Sequence, residues 1–170
     1  MPLQSVELVL DAATDEAVRG LWTALAQAGL PSQADHNGPT NAPHVTLAAV
    51  PLVTAAAEQA LVPLAARLPM RLELTGPALL GERRPALVLP VAPDAALDAL
   101  HRHVRSALVE TVGMVDELPW RPHITLARRL PDDVATAALA YAASLPIPSA
   151  AVATAVRRWD PELRRAWLVG

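Results

Sequence analysis

Pro43-His44-Val45-Thr46-Leu47-Ala48 and Pro122-His123-Ile124-Thr125-Leu126-Ala127 are one six-residue pattern written twice, with His123 lying 79 residues after His44. Each copy is rich in β-branched residues and reads as a strand. Successive side chains on a strand point to opposite faces. Strict alternation therefore predicts His44, Thr46 and Ala48 on one face and Val45 and Leu47 on the other. The second copy sets His123, Thr125 and Ala127 against Ile124 and Leu126.

The surroundings of the two copies also repeat. Ser5–Leu10 reads as a strand, followed by a helix over Asp15–Ala28 with Val18, Leu21, Trp22 and Leu25 along one stripe. A loop over Pro31–Pro43 leads into the strand His44–Val50, ended by Pro51. Thr54 opens a helix toward Leu68 that Pro63 must kink or split, and Met70–Thr75 is a strand. The second half runs in the same order. Pro85–Val91 is a strand, Asp94 caps a helix reaching about Val109, and a loop to Pro119 precedes the strand Arg121–Arg129. Asp132 or Asp133 then opens a helix to Ser144. Ala151–Arg158 and Arg164–Val169 follow as strands paired across the Asp160-Pro161-Glu162 turn. One β-α-β-α-β unit of about 80 residues is thus used twice. The expectation is a single 170-residue domain with lobes near 1–80 and 81–170, between which strands could exchange.

Composition narrows the function classes. The 52% hydrophobic fraction is ample for a core, although it comes from Ala, Leu and Val, with no Phe and four Trp. There is no Lys, so all 14 basic residues are Arg. A net charge of −3 argues against a long duplex partner, which needs a broad basic face. Without Cys there is no disulfide framework, thiolate metal site or Cys nucleophile. The pairs Arg128-Arg129, Arg157-Arg158 and Arg164-Arg165 read first as solvated faces, and as a site they would suit a small phosphate-bearing ligand better than a long polyanion. Met1–Leu10 lacks the basic segment of a signal peptide. The uncharged stretch Val134–Val156 is interrupted by Pro146 and Pro148, so it reads as a helix followed by a strand. A soluble, cytoplasmic, monomeric protein is expected.

Two His-x-Thr faces brought together by an approximate two-fold axis would make one cleft with two imidazoles and two hydroxyls. Histidine can give or take a proton near neutrality. A pair on opposite sides of a phosphorus can act as general base and general acid in an in-line displacement. The Thr hydroxyls can donate to non-bridging oxygens as charge builds. This chemistry requires neither metal nor cofactor. Packing alone would not call for His and Thr on the second face of both strands.

With these motifs and their spacing, the chain resembles the two-histidine (2H) phosphoesterase superfamily, in its bacterial branch named for 2′-5′ RNA ligase and cyclic nucleotide phosphodiesterase activity. The resemblance implies a bilobal α+β fold, with two antiparallel sheets facing a central cleft and helices outside. It also implies metal-free hydrolysis of 2′,3′-cyclic phosphates on RNA ends or small nucleotides, leaving a 2′-phosphate, or ligation to a 2′-5′ linkage without ATP. By the same resemblance His44 and His123 match the acid/base pair, and Thr46 and Thr125 the phosphate-binding hydroxyls. Arg128 stands where many relatives carry an Arg after the second motif. Alternation instead puts Arg121 and Arg129 on the His face, a conflict that a bulge or twist would resolve. The first motif runs on as Leu-Ala-Ala-Val-Pro where many relatives have an aromatic residue and a Gly.

Other residues carry weaker readings. His101 and His103, two apart on a helix, read as surface residues. His36 lies in a polar loop bordering the cleft. Trp120 reads as packing, with base stacking as an alternative. Trp22, Trp159 and Trp167 read as core. Two rival functions remain: a non-catalytic nucleotide- or RNA-end-binding module, and a metal hydrolase that would recruit Asp35 and Asp116 to His44 and His123.

Overall fold

A computed structural model describes residues 2–109 and 119–170. Asp116 and most of the loop before Pro119 lie outside the described residues. Among the described residues the elements run β1 (Gln4–Leu10), α1 (Ala12–Gln27), β2 (His44–Val50), α2 (Ala55–Leu61), β3 (Met70–Glu73), β4 (Ala78–Leu80), β5 (Ala86–Pro90), α3 (Ala95–Ala107), β6 (His123–Ala127), α4 (Asp132–Ala143), β7 (Ala150–Asp160) and β8 (Arg165–Leu168). The class is α+β. Every strand of the sequence reading is present, and β4 is an addition that pairs with β5.

Local chemistry sets the helix boundaries. Asp11 accepts from the Thr14 amide at 3.0 Å, so α1 begins at Ala12, earlier than the apolar stripe suggests. Thr54 and Asp94 cap α2 and α3 in the same way. Pro63 acts as expected: α2 stops at Leu61 and a 3-10 segment, Val62–Arg67, continues it.

The strands form one antiparallel sheet in the order β3-β7-β1-β2-β6-β5-β4, with β8 also on β7. Its two arms are the two sheets that the resemblance implies, joined into one. Among the described residues β2 and β6 meet at a single pair, Val45 opposite Ile124. At the far side the end of β3 bonds to the end of β5, through Thr75 N–H to the Pro90 carbonyl and Ala92 N–H to the Glu73 carbonyl. The sheet is therefore held at both margins and curls.

Val45 and Ile124 hold equivalent places in the two repeats, so the approximate two-fold axis passes between them. Strand membership crosses the axis as well: β7 and β8, late in the chain, extend the arm of β1 and β2. The helices cross likewise, α1 packing with α4 and α2 with α3. Val45, Leu47, Ile124 and Leu126 are all fully buried beneath them.

The junction has so little backbone pairing that side-chain packing must hold it. Ile124→Ala is expected to lower the unfolding free energy by about 2–5 kcal/mol, the usual cost of that truncation in a core. Chemical denaturation measures it, and a loss below about 0.5 kcal/mol, the scale of a surface substitution, would mean that the junction carries little of the fold.

Candidate active site

Antiparallel pairing centred on Val45 and Ile124 sets His44 beside Thr125 and Thr46 beside His123. With the central pair turned inward, these four flanking side chains share the opposite, concave face. His44 and Thr46 line a cleft of about 880 Å³. His123 lies within electrostatic reach of His44. The register places the four predicted residues around the axis, although His123 and Thr125 are not among the residues that line this cleft.

Each motif strand carries a β-bulge at the same place. On β1 and β2, Val6 faces Ala48 and Glu7 faces Thr46, which leaves Leu47 as the extra residue. On β5 and β6, Leu87 faces Ala127 and Val88 faces Thr125, which leaves Leu126 extra. The bulge reverses the alternation beyond it. Ala48 and Ala127, expected on the His face, are buried instead. Ala49 and Arg128 line the cleft in their place. The conflict over the arginines thus resolves toward Arg128, while Arg121 and Arg129 are exposed and do not line the cleft. Arg129 turns the chain away with φ 51°, and Leu130 then bonds through its amide to the Pro85 carbonyl.

Both imidazoles are oriented alike. His44 Nδ1 is 2.7 Å from the Ala42 carbonyl and His123 Nδ1 is 2.6 Å from the Arg121 carbonyl, two residues back in each case. A carbonyl can only accept, so the proton sits on Nδ1 and each Nε2 is left for chemistry. Indoles brace the strands from behind. Trp22 Nε1 donates to the Thr125 carbonyl and Trp120 Nε1 to the Thr46 carbonyl, both at 3.0 Å. Trp120 also stacks on His101 at 3.8 Å between centroids. Packing is therefore the role of Trp120, and His101 is half-buried rather than a surface residue. His103 is exposed, as expected.

The cleft contains residues that the sequence reading missed. Glu7, 4% exposed, has Oε1 at 3.6 Å from His44 Nε2. It accepts from Ser5 Oγ at 2.6 Å and from Arg157 Nε at 2.9 Å. The pair Arg157-Arg158 is no solvated face. Arg157 lines the cleft, and Arg158 is buried against Glu58 and Gln4. Trp159 and Arg164 line the cleft with His36, so Trp159 is not core. Trp167 is also only half-buried, donating to Glu58 beneath the Arg158 guanidinium. Asp35 is engaged in a capping box with Ser32. Among the described residues no group of three His, Asp or Glu side chains could hold a metal ion.

Burial pushes both histidines below the ordinary imidazole value. For His44, Glu7 and the Ala42 carbonyl pull upward without overcoming it, and Arg157 and Arg128 add to the fall. For His123, the Arg121 carbonyl opposes burial, while His44 and Arg128 reinforce it. Burial pushes the Glu7 carboxyl up, but His44, Arg157 and Ser5 outweigh it and hold the group below its usual range.

The family model for the 2′-5′ RNA ligase superfamily matches residues 10–163. Solved structures with similar folds include E. coli LigT in apo form, 20% identical, covering 98% of this chain and 92% of that one at a TM-score of 0.54. A Thermus thermophilus protein, TT0787, is 17% identical, covering 99% and 95% at 0.59. The PDE domain of MHV ns2 is 20% identical, covering 78% and 86% at 0.52. E. coli LigT has also been crystallised with 3′-AMP, NADP+, ATP and phosphate. No curated protein sequence matches the chain. At these identities the structural likeness concerns the fold.

Because both imidazoles are lowered, the folded chain binds fewer protons than the unfolded one just below pH 6.5. Stability should accordingly fall as pH drops through that value toward the folded-state pKa values. NMR titration should place both His44 and His123 below 6.5; either ring titrating above it contradicts the burial argument.

Proposed function

The chain belongs to the 2′-5′ RNA ligase superfamily, and from that premise we propose that it is a metal-independent phosphoesterase opening 2′,3′-cyclic phosphates on RNA ends or small nucleotides. The observation that carries this reading is the set His44, Thr46, His123 and Thr125 around one axis, with both Nδ1 atoms tied to carbonyls and both Nε2 atoms available.

In this reading the phosphate sits across the junction of β2 and β6. One imidazole takes a proton from water as its oxygen attacks phosphorus, and the other protonates the departing ribose O3′, leaving a 2′-phosphate. The Thr46 and Thr125 hydroxyls and the Arg128 guanidinium bind the non-bridging oxygens, where negative charge grows. With a ribose 5′-hydroxyl in place of water as the attacking group, the same steps give a 2′-5′ linkage by a ligation that needs no ATP. A cleft of about 880 Å³ lined by Arg128, Arg157, Arg164 and Trp159 suits a terminal nucleotide. A soluble enzyme is consistent with the absence, among the described residues, of any helix long and apolar enough to cross a membrane.

The decisive assay follows the product from an RNA ending in a 2′,3′-cyclic phosphate, with and without EDTA. Turnover to a 2′-phosphate that survives the chelator is expected. His44→Ala and His123→Ala should each lower kcat by about 10²–10⁴, the usual range for a general acid or base, with ligand affinity largely kept. Loss with EDTA would favour metal chemistry, and binding without any turnover would favour a nucleotide-end-binding module. The profile of kcat/KM against pH should be bell-shaped and displaced to the acid side of pH 6.5, because it reports the free enzyme's lowered imidazoles. A flat profile would contradict paired histidines.

A further inference from the structure

The two halves of the cleft differ beside the histidines. Glu7 on β1 stands opposite Thr46, and the matching place on β5, opposite Thr125, holds Val88. Ala49 and Arg128 are the second mismatched pair, one after each bulge. Thus His44 has a buried carboxylate at 3.6 Å from Nε2. The charged groups bearing on His123 are His44 and Arg128. Those bearing on His44 are Glu7 from β1, Arg157 from β7 and Arg128 beyond β6.

Burying a carboxylate is costly unless it is paired and hydrogen-bonded. Glu7 is fully provided for: Ser5 and both nitrogens of an Arg157 fork donate to it. These bonds hold Oε1 just beyond hydrogen-bonding distance of Nε2. The carboxylate can then favour a proton on Nε2 without capturing it, and the N–H stays free to turn toward a leaving group. A simple cross-strand salt bridge would not need its second oxygen directed at a cleft imidazole.

Resting on the phosphoesterase reading, we propose that Glu7, fixed by Arg157 and Ser5, is a positioning residue that makes His44 the proton donor and leaves His123 as the proton acceptor. In ring opening the water oxygen bonds to phosphorus and the water proton passes to His123 Nε2. The P–O3′ bond breaks, and the proton on His44 Nε2 moves to O3′. The two imidazoles regain their starting states by exchange with solvent.

The test compares a 2′,3′-cyclic nucleotide, whose alkoxide leaving group needs a proton, with a nitrophenyl phosphodiester, whose leaving group does not. Glu7→Gln should lower kcat on the cyclic substrate by about tenfold with KM little changed, shift the high-pH limb downward by about one unit, and cost less on the nitrophenyl ester. Independently of how that variant folds, His44→Ala should lose far less on the nitrophenyl ester than on the cyclic substrate, and His123→Ala should lose heavily on both. An unmoved pH limb in a folded Glu7→Gln protein, or His123→Ala being the variant spared, overturns the assignment while leaving the phosphoesterase reading intact. A wild type inert on every cyclic phosphate overturns both.

Discussion

The fold turns on one contact: Val45 against Ile124, the only pair among the described residues by which β2 and β6 join the two arms of the sheet. A longer ladder would flatten the arms into a continuous sheet and leave no cleft. Without that pair the arms would be joined only where β3 meets β5, and the two motifs would lose their register. One pair, lying where the axis passes, fixes the register and still lets the arms diverge. It also determines the site, because the residues flanking two inward-turned aliphatic side chains must turn outward together. The indoles of Trp22 and Trp120, each bound to a threonine carbonyl, add stiffness from behind without lengthening the ladder.

The bulges at Leu47 and Leu126 add a second constraint. Each shifts the side-chain phase just beyond the His-x-Thr triplet, so the residue two places after the final Leu enters the cleft. In one arm that residue is Ala49, in the other Arg128. Backbone symmetry is thus kept while chemical symmetry is broken, and the same holds for Glu7 and Val88. A duplicated unit supplies the matched imidazoles, and divergence at the neighbouring positions gives each half a different electrostatic setting.

Much of this was legible in the sequence because the repeat is written in its strands. Alternation read over five residues sufficed to group His44 with Thr46 and His123 with Thr125. It failed beyond Leu47 and Leu126, since a bulge depends on the partner strand's register and leaves no mark on a single strand. Glu7 was invisible for a similar reason: its partners are Arg157, 150 residues away, and a histidine on another strand. Arg157-Arg158 and Trp159 were misread because β7 joins the first arm, and composition does not reveal that crossing. The start of α1 was missed because Asp11 caps it ahead of the first apolar residue of its stripe.

The central claim is that two strands from two repeats make one site whose imidazoles act as a unit. The direct measurement is a double-mutant cycle on a 2′,3′-cyclic nucleotide, comparing His44→Ala, His123→Ala and the double variant. Residues that act together give strongly non-additive losses. The account predicts a double variant within about threefold of the slower single variant. A double variant slowed by the full product of the two single effects would show independent contributions and contradict it.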